Sequence, residues 1–322
     1  MKVNWIVTNR CNLKCNGCIK FQDETPDSKE DLERIANRLI QLDVEEVTIT
    51  GGEPGLVDIE SSLNILKSKG VYIDYHTNGL NLDSKLNTLS HLINEIALPY
   101  DSSTIETQLI MRGDEFRKFY EDTFAMAKKI KQHGIKLTFH TVFSELNASD
   151  IMSIYKKLQT VTFDLWKVYE YNTFIVENRF FKNPIYSYMF EDDVFGGVNS
   201  LFAQMLQWED KIKDKRVKFV GKLDGQEYFF VNNLGKTTYF HTDMCREKEI
   251  GNILDGLDLK TINTQEFIDQ DFTSENQRDI QPFFMKLFDG NYFEEELETY
   301  RNLRKIYKFS RLYAKHLGYD SD

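Results

Sequence analysis

Three of the four cysteines stand in one short stretch, Cys11-Asn12-Leu13-Lys14-Cys15-Asn16-Gly17-Cys18. The spacing is Cys-x3-Cys-x2-Cys, directly after the apolar run Val3-Asn4-Trp5-Ile6-Val7. A loop of this length can point three thiolates at one centre. Iron–sulfur clusters are held by cysteine thiolates, and a cubane commonly takes four. Three from one loop leave one iron open, where a small molecule could bind and be reduced. Two other readings stand beside this one. The thiols could join Cys245 or a histidine around zinc, or they could be unrelated buried cysteines, which behave as small hydrophobes. A disulfide framework does not suit a long, cysteine-poor chain without a secretory segment.

A second stretch carries chemistry of its own. Residues 47–54 read Val47-Thr48-Ile49-Thr50-Gly51-Gly52-Glu53-Pro54, a β-branched strand running into two glycines, an acid and a proline. Glycines let a backbone come close to a ligand, and a carboxylate beside them can hold an ammonium group.

The elements that must position these residues alternate. Residues 3–8 read as a strand. Residues 28–42 carry Leu32, Ile35, Ala36, Leu39 and Ile40 at helical spacing, with Ser28 as cap and Asp31 three residues on. Strands follow at 44–50, 71–75 and 93–98, with a helix at 59–67 between the first two. A long amphipathic helix spans 115–133 and stops at Gly134. A strand at 137–142, a helix at 149–158 and a strand at 163–169 complete the series. Such alternation reads as βαβ units and a parallel sheet. Six units predict a partial (β/α)6 barrel, an α/β fold, with a mixed α/β C-terminal extension. We place the barrel at 1–200 and the extension at 201–322. Ligands of parallel α/β folds sit at the C-terminal strand ends. The cysteine loop, Gly51 to Pro54, Thr77-Asn78 and Asp101 all fall on such ends. Residues 226–240 read as a hairpin turning near Asn233-Leu234-Gly235-Lys236, and 293–317 as a charged amphipathic helix.

Composition narrows the partners. The 322 residues are 41% hydrophobic and carry a net charge of −11. Nucleic acids are bound chiefly through basic residues on phosphates, so an extended nucleic-acid surface is not expected. No apolar run reaches the roughly 20 residues of a membrane span, and the expectation is a soluble cytoplasmic protein. His76 and His140 lie at strand ends facing the presumed site. They could touch a ligand or serve the structure alone.

Cys-x3-Cys-x2-Cys after a first strand and Gly-Gly-Glu-Pro after a second, in this order, resemble the radical S-adenosylmethionine (radical SAM) superfamily. The layout is similar to its molybdenum-cofactor cyclase, peptide-maturase and viperin branches. The likeness covers most of residues 3–170 and includes Ala97-Leu98-Pro99-Tyr100-Asp101, Arg112-Gly113, Thr141-Val142 and Asn147; Trp166-Lys167-Val168-Tyr169 is similar to a stretch of viperins.

The resemblance implies a [4Fe–4S] cluster on Cys11, Cys15 and Cys18, with S-adenosylmethionine chelating the open iron. It implies reductive cleavage to a 5′-deoxyadenosyl radical that takes hydrogen from a peptide or small-molecule substrate, a nucleotide included. The electron would come from a carrier such as flavodoxin or ferredoxin. By the same resemblance Gly51, Gly52, Glu53 and Pro54 match the element at the methionine amino group, Thr77 and Asn78 the strand end near the ribose, and Arg112 a methionine carboxylate ligand. Cys245 is a candidate hydrogen donor to the substrate radical, or a plain thiol. Two departures stand out. Gly17 replaces an aromatic residue that relatives place near adenine, so that Phe21 or Trp5 substitutes for it, or nothing does. Relatives also carry a serine near Pro99, ahead of the aspartate, that is absent here. With one cysteine outside the loop, an auxiliary-cluster domain is not expected. The rival from another class is a non-catalytic zinc or iron–sulfur protein using the same thiolates structurally.

Overall fold

A computed structural model describes residues 1–15, 18, 28–144, 146–170, 201–220, 227–241 and 248–264. Strand β1 (Lys2–Thr8) leads into α1 (Lys29–Gln41), β2 (Glu46–Gly51), α2 (Glu60–Ser68), β3 (Tyr72–His76), α3 (Leu82–Leu89) and β4 (Glu95–Pro99). Then come α4 (Ile105–Arg112), α5 (Arg117–Gln132), β5 (Lys136–Phe143), α6 (Ile151–Leu158) and β6 (Leu165–Glu170). Beyond lie α7 (Leu201–Lys211), β7 (Val217–Val220), β8 (Glu227–Asn232), β9 (Lys236–His241) and β10 (Lys248–Asn252).

All ten described strands join one sheet, in the order β10-β9-β8-β1-β2-β3-β4-β5-β6-β7. The run from β8 to β7 is parallel. Only the β8–β9 and β9–β10 pairs are antiparallel. The fold is therefore α/β, a parallel sheet extended by antiparallel C-terminal strands. The hairpin expected at 226–240 is β8–β9, and β8 also docks parallel to β1.

Chain connectivity shows that the sheet is curved. Eight parallel strands about 4.8 Å apart, laid flat, would separate β7 from β8 by about 34 Å. Val220 and Glu227 are seven peptide steps apart in the sequence, which allows about 25 Å. The two ends of the parallel run must curl toward each other.

Alternation along the strands divides the two faces. Val3, Trp5 and Val7 of β1, Val47 and Ile49 of β2 and Trp166 of β6 are fully buried on the helix side. They meet Ile35 and Leu39 of α1, Leu63 of α2 and Ile154 of α6, also fully buried in the same core. Each such side chain contributes about 1.5–3 kcal/mol. Trp5 thus belongs to the helix-side core, which corrects its assignment as a substitute for the missing aromatic near adenine. Phe21 and Gly17 lie outside the described residues, as do Cys245 and the helix expected at 293–317.

Local signals explain the termini. The Ser28 hydroxyl accepts from Asp31 N–H at 3.0 Å and caps α1. Gly134 takes φ +74° just past α5. Two further helices, α3 and α4, have eight residues each; Leu82, Leu86 and Leu89 give α3 a buried face at helical spacing, in a segment too short for periodicity to single out.

Candidate functional site

The cysteine loop begins where β1 ends, and the end of β2 holds its root. Gly52 N–H donates to the Thr8 carbonyl at 2.7 Å, and Glu53 N–H to that of Arg10 at 2.7 Å. The glycine pair permits this. A Cβ on Gly51 would lie 2.3 Å from the Thr8 oxygen, and one on Gly52 1.9 Å from the Arg10 oxygen. The backbone that comes this close is that of β1 and the loop, a purpose the spacing alone does not reveal.

Glu53 is buried, at 1% exposure. Its Oε1 accepts from the Thr77 hydroxyl at 2.6 Å and from Gly55 N–H at 3.0 Å. Its Oε2 accepts from Asn78 N–H at 2.7 Å. Burial raises the pKa of Glu53 above the ordinary carboxylate value, against the pull of these bonds, which favour the charged form. Asn78 then reaches back to the loop. Its Nδ2 donates to Asn12 Oδ1 at 2.7 Å and lies 3.8 Å from Cys11 Sγ. Leu13 N–H also points at Cys11 Sγ, at 3.4 Å. The ends of β1, β2 and β3 are thus tied into one hydrogen-bonded unit.

Arg112, at the end of α4, approaches from the other side. Its Nε donates to Asp101 Oδ2 at 2.5 Å, and its positive charge acts on the nearby Cys15 thiol. Asp101 is fully buried and held on every side. Its Oδ1 accepts from Val142 N–H at 2.8 Å. Its backbone carbonyl accepts from Asn147 Nδ2 at 2.7 Å, and its N–H donates to Gln108 Oε1 at 2.9 Å. Burial pushes the Cys15 thiol up to about 11, against the opposing pull of Arg112. Sequence reasoning placed Asp101 and Asn147 in this region without a role and missed Gln108. No local signal marks a glutamine that will cap a turn in another element.

The donor set fits an iron–sulfur cluster. Cys11, Cys15 and Cys18 are half-buried. Cys11 receives N–H groups, and Cys15 faces a guanidinium, both suited to an anionic cluster. Among the described residues no three His, Cys, Asp or Glu side chains surround a point that one ion could take. Also among the described residues, no helix is long and apolar enough to cross a membrane.

Residues 5–158 match the Radical SAM superfamily. A GTP 3′,8-cyclase of Synechocystis sp. is 35% identical over 164 residues, 48% of this chain and 49% of the cyclase. An Fe-coproporphyrin III synthase of Methanosarcina barkeri is 25% identical over 167 residues, 49% of this chain and 40% of the synthase. The chain spans about half the length or less of these curated relatives. Among solved structures, anSMEcpe with bound AdoMet superposes with a TM-score of 0.63 at 18% identity, covering 86% of this chain and 85% of that one. Streptococcus suis SuiB bound to S-adenosylmethionine gives 0.57 at 16% identity, covering 73% and 59%. These likenesses establish the fold.

Proposed function

The chain belongs to the Radical SAM superfamily and is an enzyme of that family, and from this premise we propose that it generates a substrate radical by hydrogen abstraction. The cofactors of the family are a [4Fe–4S] cluster and S-adenosylmethionine, which together supply a 5′-deoxyadenosyl radical. In our reading Cys11, Cys15 and Cys18 hold the cluster. Gly51, Gly52, Glu53 and Pro54 shape the bed of the methionine amino group. Thr77 and Asn78 face the ribose, and Arg112 lies beside the methionine carboxylate. The protein's share is to bind, orient and exclude water. Asp101 and Gln108 contribute by fixing Arg112.

The observation that carries this reading is the closed chain of bonds from Glu53 through Asn78 to Cys11. It joins the two separated sequence motifs at one end of the sheet. A structural metal site would need the thiols but not that link.

The substrate is a peptide or a small molecule, a nucleotide included. Both classes occur among the similar proteins: cyclases named for GTP and SuiB bound to its precursor peptide. An external one-electron carrier such as flavodoxin or ferredoxin supplies the electron. Cys245, outside the described residues, stays in this reading as a hydrogen donor on the strength of the sequence alone. The test of the function is anaerobic. The protein is reconstituted with iron and sulfide, reduced, and given S-adenosylmethionine, and 5′-deoxyadenosine is sought by mass spectrometry. Product that vanishes with Cys15→Ala supports the reading. A fully loaded cluster that neither binds nor cleaves S-adenosylmethionine overturns it.

A further inference from the structure

The concave face of the sheet holds a polar group that the cofactor site does not use. Register places Thr48 of β2 beside Asp74 of β3, and His140 of β5 beside Lys167 of β6. His76 and His140 lie on strands separated by β4, about 10 Å apart in a flat sheet. Their rings nonetheless meet at 4.7 Å, across the small Ala97, which is the register partner of His76. The side chains converge because the face is concave.

Hydrogen-bond accounting there does not close. Asp74 is 3% exposed, and its Oδ2 pairs with His76 Nε2 at 3.0 Å. Its Oδ1 is buried without a partner. So are the hydroxyl of Thr48, 2% exposed, and Nε2 of His140. An unmet buried polar atom forfeits its hydration without recompense, and native proteins keep few. Here three gather on one face of one sheet. Two of them, Asp74 Oδ1 and Thr48 Oγ1, are on paired residues and can both accept a hydrogen bond. A single N–H2 group would satisfy the pair. Burial and the nearby His76 and Lys167 keep His140 neutral, so it can either donate to or accept from the same ligand. Lys167 and Arg112 act on this face as well. The charge of Lys167, with that of His76, already offsets the Asp74 carboxylate, a balance that a neutral N–H2 group keeps and an added ammonium would not.

We propose that Thr48, Asp74 and His140 form a substrate-recognition site for a neutral N–H2 group, a carboxamide or the exocyclic amine of a nucleobase. The proposal rests on the radical SAM reading, which puts the substrate on this face. The test is calorimetric titration of the full chain, anaerobic and reconstituted, with and without S-adenosylmethionine. One arm compares GTP with ITP, which lacks the exocyclic amine. The other compares N-acetylglutamine methylamide with N-acetylnorleucine methylamide. The expected result is about a tenfold preference for the N–H2 member of one pair, the worth of one good hydrogen bond. The preference should disappear in Thr48→Val and in Asp74→Leu, while iron content stays at the wild-type level. The winning arm identifies the source of the group. Equal affinities within both pairs, or a preference that survives both substitutions, overturns the proposal. Thr48→Val is near-isosteric and keeps the test valid should Asp74→Leu fail to fold. Probe selectivity in a protein that takes up no S-adenosylmethionine would sustain the site and overturn the cofactor reading instead.

Discussion

The carboxylate of Glu53, at the end of β2, accepts a hydrogen bond from the backbone N–H of Asn78, at the end of β3, at 2.7 Å. Asn78 is the residue whose side chain reaches Asn12 and Cys11. One buried acid therefore sets the geometry of a loop some 40 residues upstream. Glu53→Gln replaces one acceptor oxygen by an N–H2 group that must face either the Asn78 N–H or the Thr77 hydroxyl and Gly55 N–H. The expected cost is about 1–3 kcal/mol, read as a lower denaturation midpoint in urea. Iron retained after reconstitution should fall with it.

Gly52→Ala should be worse than its size suggests. The new Cβ would fall 1.9 Å from the Arg10 carbonyl oxygen, and backbone cannot swing aside as a long side chain does. Overpacking of this kind typically costs about 1–3 kcal/mol. The measurement is iron and sulfide content per chain, which should drop well below that of the parent protein even where circular dichroism shows the fold intact.

Arg112→Lys keeps the charge and loses the geometry. The guanidinium donates to Asp101 through Nε, and its planar fork leaves further N–H groups for a second acceptor; a lysine ammonium lacks that geometry. S-adenosylmethionine affinity should weaken about tenfold or more, the equivalent of ~1.4 kcal/mol. Unchanged affinity would remove Arg112 from the cofactor site.

Asp74 gives a pH signature. Burial pushes its pKa up, but the charge and hydrogen bond of His76 outweigh burial and bring it to about 2, below the ordinary 3.8. A depressed carboxylate adds stability above its unfolded pKa and loses it as pH falls through the folded value. Cluster-free protein should therefore exceed Asp74→Asn by about 2 kcal/mol near pH 5. The gap should close between pH 4 and 2, as followed by urea unfolding at each pH.

The N-cap of α1 is the simplest test. Ser28→Ala removes the acceptor for Asp31 N–H and should cost about 1 kcal/mol. Calorimetry should show a small fall in Tm with cofactor binding unaffected.

The sequence by itself determined the βαβ succession, the caps at Ser28 and Gly134, and the two stretches around Cys11 and Gly51. These are local: hydrophobic period, turn chemistry and motif spacing are written over a few consecutive residues. Tertiary structure alone decided the rest. That Gly51 and Gly52 serve the backbone of β1, that Trp5 faces the helices, and that Gln108 and Asn147 lock Asp101 all depend on which residues meet across strands. So does the gathering of Thr48, Asp74 and His140 on the concave face. Sequence separation says nothing about such meetings. A contact between residues 53 and 78 is set by strand register and sheet curvature, which emerge only when ten strands and their helices pack together.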